Sequence, residues 1–101
     1  MDEPRLLLSL TVPPNLEEAI IDWLLSSESR SGFSSFPVNG HSSEARGLTL
    51  AEQVSGRKRN IRFEICRPKP EVDTLLEKLR QDFPKTGISY WVTPAENFGH
   101  V

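Results

Sequence analysis

Cys66 is the only cysteine in a chain of 101 residues, which excludes an internal disulfide framework and fits a reducing compartment. Net charge is also scarce. At -2 it is too small to point to nucleic acid as a partner. No apolar run approaches the roughly 20 residues needed to span a bilayer, so direct membrane insertion is not expected. The start, Met1-Asp2-Glu3-Pro4-Arg5, is acidic, and the apolar run after it is short and soon broken by prolines. That is not a signal peptide, and the expectation is a cytoplasmic protein. Soft metal ligands are limited to His41, Cys66 and His100, and no pair of them has zinc-finger or HExxH spacing. Serines are plentiful, yet none sits in a G-x-S-x-G elbow and nothing pairs a nucleophile with a base and an orienting group. No enzyme is expected.

What is present is regular. Hydrophobic residues make up 37% and charged residues 26%, and the apolar ones fall into periodic runs separated by turn-formers, as in a folded domain. A chain of this size is expected to form one domain over residues 1–101, burying roughly two-thirds of its unfolded surface.

Leu6, Leu8, Leu10 and Val12 alternate with Leu7, Ser9 and Thr11, a strand with one fully apolar face. Pro13 and Pro14 end it, and Asn15 with Glu18 has capping-box spacing for a helix that buries Leu16, Ala19, Ile20, Trp23 and Leu24 up to about Ser27. Residues 32–41 read as a weaker strand in which Phe33 and Phe36 are out of phase, suggesting a bulge near Ser34-Ser35. Pro37 assigns that strand to a sheet edge. Ile61, Phe63 and Ile65 alternate with Arg62, Glu64 and Cys66 in the next strand. Pro68 and Pro70 introduce a second helix with the stripe Val72, Leu75, Leu76, Leu79 and Phe83, which Pro84 stops. A last strand alternates Ile88, Tyr90 and Val92 with Ser89, Trp91 and Thr93.

Strand, helix, strand, strand, helix, strand with right-handed crossovers gives an α+β, ferredoxin-like βαββαβ fold, a four-stranded antiparallel sheet with two helices on one face. Tyr90 is expected in the core with the other helix-facing residues. The opposite face carries Leu7, Ser9, Thr11, Arg62, Glu64, Cys66, Ser89, Trp91 and Thr93, a mixture that suits either solvent or another subunit.

Residues 40–60 form a long excursion with four basic and two acidic side chains. Long loops in compact domains are usually functional. This one begins at Gly40-His41, passes Arg46-Gly47 and returns through Arg57-Lys58-Arg59, a basic base suited to an anion or an acidic protein surface. The same charges also suit a merely solvated connection. With few apolar residues to offset the entropy of ordering, residues 42–59 are expected to be mobile in the free protein.

Gly40-His41, four residues, then Arg46-Gly47 resembles the spacing of the Gly-His and Arg-Gly pairs in the large T-loop of PII signalling proteins, and a basic segment and the alternating strand Ile61-Arg62-Phe63-Glu64-Ile65 follow in the same way. With the element order, this identifies the chain as similar to the PII superfamily, which also contains the CutA proteins. Gly40-His41-Ser42-Ser43 and Leu50-Ala51-Glu52-Gln53-Val54-Ser55-Gly56-Arg57 further resemble a small PII-like family of proteobacteria, often encoded beside heavy-metal efflux pumps.

The resemblance implies a cytoplasmic homotrimer with sheets packed around the axis, and a small regulatory or sensory protein whose ligand or partner is met at the subunit clefts and the T-loop base. Its ligand-binding positions would be Gly40, His41, Arg46, Arg57, Lys58 and Arg59. Its protein partner would be a membrane transporter or a regulatory protein. Two departures stand out: the T-loop tyrosine that accepts a uridylyl group has no counterpart, and Thr86-Gly87 runs straight into Ile88 where PII proteins have a glycine-rich phosphate loop. Weak or no nucleotide binding is therefore expected. The alternative reading is a CutA-like metal-tolerance accessory that binds a divalent cation through His41, His100 or Cys66.

Overall fold

The computed structural model of the protein describes residues 4–27, 32–41 and 57–101. Its elements are β1 (Arg5–Val12), a single 3-10 turn (Pro14–Leu16), α1 (Glu17–Leu25), β2 (Ser34–His41), β3 (Arg57–Pro68), α2 (Lys69–Asp82) and β4 (Ser89–Ala95). The sheet order is β2-β3-β1-β4, with β1 antiparallel to both β3 and β4 and β2 antiparallel to β3. This is the expected ferredoxin-like α+β sheet, and β2 with its Pro37 does lie at an edge.

The alternation in β1 and β3 decides what is buried. Leu8, Leu10, Val12, Phe63 and Ile65 are fully enclosed, each at 0% exposure, against Ile20 and Leu24 of α1 and Val72, Leu75, Leu76 and Leu79 of α2. Each such side chain contributes about 1.5–3 kcal/mol relative to being left in water. Phe33 joins this core from just before β2, its ring 6.0 Å from that of Phe63. Trp23 closes the helix layer edge-on to Phe83 at 5.6 Å and donates its indole N–H to Asp82 at 2.8 Å.

Four local expectations are corrected. Asn15 does not cap α1: the two preceding prolines set a tight turn closed by Leu16 N–H to Pro13 C=O at 3.0 Å. The helix starts at Glu17 with no side-chain cap, and Glu17 and Glu18 meet its positive end instead. No bulge interrupts β2, which pairs in continuous register from Ser34↔Glu64 to His41↔Arg57. Phe33 and Phe36 differ in parity and so simply take opposite sides of the sheet. Tyr90 is not core. On the edge strand β4 it is 42% exposed, and its hydroxyl accepts a bond from Arg80 Nη2 at 2.8 Å.

The fourth correction concerns the long excursion. β3 begins at Arg57, so residues 40, 41 and 57–60 are paired strand and not loop. The connection narrows to residues 42–56, which lie outside the described residues, as does the expected mobility of most of the 42–59 segment.

Candidate functional site

β1 pairs with β3 only as far as Val12↔Ile61. Beyond that point β2 and β3 continue alone through Val38↔Asn60, Asn39↔Arg59, Gly40↔Lys58 and His41↔Arg57. At about 3.4 Å per residue this two-stranded ribbon projects about 13 Å past the four-stranded sheet. It holds five of the six residues expected from sequence to bind a ligand, namely Gly40, His41, Arg57, Lys58 and Arg59. Arg46 lies outside the described residues.

Strand geometry sorts these residues further. Successive side chains point to opposite faces, so Lys58 and Arg59 project from opposite sides of the ribbon and do not form one cluster. His41 and Arg59 are exposed and Lys58 is half-buried. Gly40 stands beside Lys58, where a Cβ would meet Asn60 Nδ2 and the Lys58 carbonyl oxygen at 3.5 Å, an ordinary contact. Its role is therefore not that of a forced glycine.

His41, Cys66 and His100 are not brought together. His41 pairs with Arg57, nine residues along β3 from Cys66, a separation of about 30 Å within one chain. His100 packs edge-on to Phe98 at 5.5 Å, and Phe98 lies under the Arg5 guanidinium at 4.3 Å, near the sheet end that holds Cys66. Among the described residues no group of three His, Cys, Asp or Glu could hold a metal ion.

The sheet face away from the helices is half apolar. Trp91 is 45% and Phe36 39% exposed on it. Between them Arg62 lies over the Trp91 ring at 4.5 Å and donates to Thr11 Oγ1 through Nε and Nη2 at 3.4 and 3.3 Å. Ser9, beside Trp91 and Glu64 in the register, is buried.

One residue that the sequence reading passed over stands out. Arg67 is 3% exposed, the only charged side chain buried among the described residues. The signal was present: the alternation Ile61, Phe63, Ile65, carried one step further, places position 67 on the helix-facing side. At the other end of α2, the turn from Phe83 to Ile88 is held by Thr86, whose hydroxyl donates to Phe83 C=O at 2.9 Å and accepts from Ile88 N–H at 3.4 Å. Lys85 and Gly87 have positive φ of 58° and 83° there.

Comparison with known proteins bears on this geometry. No curated protein matches the chain. The crystal structure of a DUF3240 family protein from Shewanella baltica OS155 is similar over 100% of this chain and 99% of that one, with 27% identity and a TM-score of 0.78. CPII from Thiomonas intermedia K12, a nitrogen regulatory PII-like protein bound to ADP, AMP and bicarbonate, is similar over 97% of both chains, with 17% identity and a TM-score of 0.71. Arabidopsis thaliana PII bound to citrate covers 93% of this chain and 79% of its own, with 15% identity and a TM-score of 0.67. These last two share the fold. Residues 3–101 match the family model described as protein of unknown function DUF3240, and the chain belongs to that family.

Proposed function

We propose that the protein is a PII-like regulatory module that binds an anionic ligand or an acidic partner surface at the base of its β2–β3 ribbon, within the subunit clefts of a homotrimer. The observation that carries this reading is the ribbon itself, which presents the pairs Gly40↔Lys58 and Asn39↔Arg59 beyond the rest of the sheet. Two-stranded structure without a third neighbour contributes little to a core. Its basic side chains, set clear of the sheet, favour anions by charge and by charge-assisted hydrogen bonds. The PII-like fold supports the reading, and so do the anions named with its two relatives, bicarbonate and the nucleotides for CPII and citrate for the plant protein.

Bicarbonate and citrate are the favoured probes, and nucleotides bind weakly or not at all, because the short Phe83 to Ile88 turn offers no glycine-rich nest. Thermal-shift and calorimetric titration of the full chain with ADP, AMP, bicarbonate and citrate tests this. Bicarbonate or citrate should stabilise the protein, and the double variant Lys58→Glu with Arg59→Glu should lose that stabilisation while keeping its fold. An equal response in the variant would remove the ribbon base from the site, and micromolar nucleotide affinity would show that other groups replace the phosphate loop.

A further inference from the structure

The sheet face turned away from the helices carries few charges. Within the four-stranded part, register and strand alternation place Arg5, Arg62 and Glu64 on it beside Leu7, Phe36 and Trp91, and Glu64 is the one acid there. It stands on the central strand β3 between Ser34 of β2 and Ser9 of β1, and it is half-buried. Glu64 makes no hydrogen bond or ion pair with any other described residue.

The bases of its own chain are engaged elsewhere. Arg5 lies over the Phe98 ring at 4.3 Å. Arg62, two residues from Glu64 on the same face, turns toward β1 and β4 instead: Nε and Nη2 donate to Thr11 Oγ1 at 3.4 and 3.3 Å, and the guanidinium lies 4.5 Å from the centre of the Trp91 ring. Its Nη1 is left with no acceptor among the described residues. Lys58, the next base along that side of β3, is about 20 Å from Glu64.

While the face is open, water solvates the Glu64 carboxylate. Once the subunit contact proposed above covers it, that water is lost, and an unpaired charge in such a contact is strongly unfavourable. The covering surface must therefore bring a base to Glu64 and an acid to the free edge of Arg62. The face itself meets both requirements, two positions apart on one strand. The Trp91 ring behind Arg62 also holds the guanidinium in place, so less freedom is lost when a carboxylate pairs with it. In a closed ring each copy then offers Glu64 to one neighbour and Arg62 to the other.

We infer that this face docks on a second copy of the chain through an ion pair between Glu64 of one subunit and Arg62 of the next, with Trp91 as its backing. The inference rests on the homotrimer proposed above and adds the pair that fixes how its faces register.

Sedimentation equilibrium over a dilution series of the full chain and its variants reads the pair, with circular dichroism checking each fold. Glu64→Gln keeps the shape and removes the charge, and should raise the concentration needed for half-assembly about tenfold. Glu64→Arg and Arg62→Glu each set like charges together and should sediment as monomers at micromolar concentration. The double variant that carries both reversals should assemble again. A folded double variant no better assembled than either single one would overturn the proposal. So would a Glu64→Gln that assembles as tightly as the unmodified chain, and this comparison decides alone should the reversals fail to fold. A monomeric unmodified chain would remove the proposed assembly and the pair together, whereas a trimer indifferent to Glu64→Gln removes only the pair.

Discussion

Among the described residues Phe63 is the largest side chain with no exposed surface, and it is the point where β3, Phe33 and the helix layer meet. Phe63→Ala should cost about 3–5 kcal/mol, read as a fall in the urea midpoint with little change in slope. A loss under about 1 kcal/mol would mean the site collapses around the gap and the core is less tightly packed than described. The polar residues divide differently. Arg62 is satisfied by Thr11 and Trp91 on one face, whereas Arg67 on the other is satisfied only in part. Sequence revealed the core residues because period-2 burial is printed directly in β1 and β3. The same alternation carried to position 67 puts Arg67 on the helix-facing side, but it gives only the face: what surrounds the guanidinium depends on where α1 ends and α2 begins, and that is set by tertiary packing.

At the scale of elements, strands and helices were legible wherever apolar spacing is repeated, as in Leu6 to Val12 or Val72 to Leu79. Their ends were less so. The start of α1 was misplaced because Asn15 and Glu18 satisfy a local capping rule that Pro13 and Pro14 override by fixing the backbone ahead of it. Tyr90 was misassigned because alternation gives the face of a residue and not whether a neighbour covers it, and β4 is an edge strand. The β2–β3 ribbon was underestimated because Asn39-Gly40-His41 and Arg57-Lys58-Arg59 have no apolar alternation. Their backbones pair without it. Since the strand register is complete at His41↔Arg57, removing residues 44–54 should leave the fold intact. Circular dichroism and a melting temperature within a few degrees of the full chain would agree with that, while a cooperative loss of the sheet would mean the segment belongs to the packed structure. The same deletion should abolish capture of a partner protein if the connection carries the signal.

At the scale of the whole molecule, the sheet face bearing Phe36, Arg62 and Trp91 is the surface on which assembly would turn. Half-exposed aromatic rings around a satisfied arginine suit a subunit contact better than water. The proposed ligand site depends on this, since the clefts proposed for it would lie between assembled subunits. Trp91→Asp would place a charge in that contact and should shift the protein toward monomer without unfolding it, because Trp91 lies outside the helix-side core. Sedimentation equilibrium of the unmodified chain at micromolar concentration is the most direct test of the PII-like account. The predicted result is a single species of three times the 11.4 kDa chain mass. A stable monomer at that concentration would contradict it, leaving the sheet face without a partner and the ribbon base without a cleft.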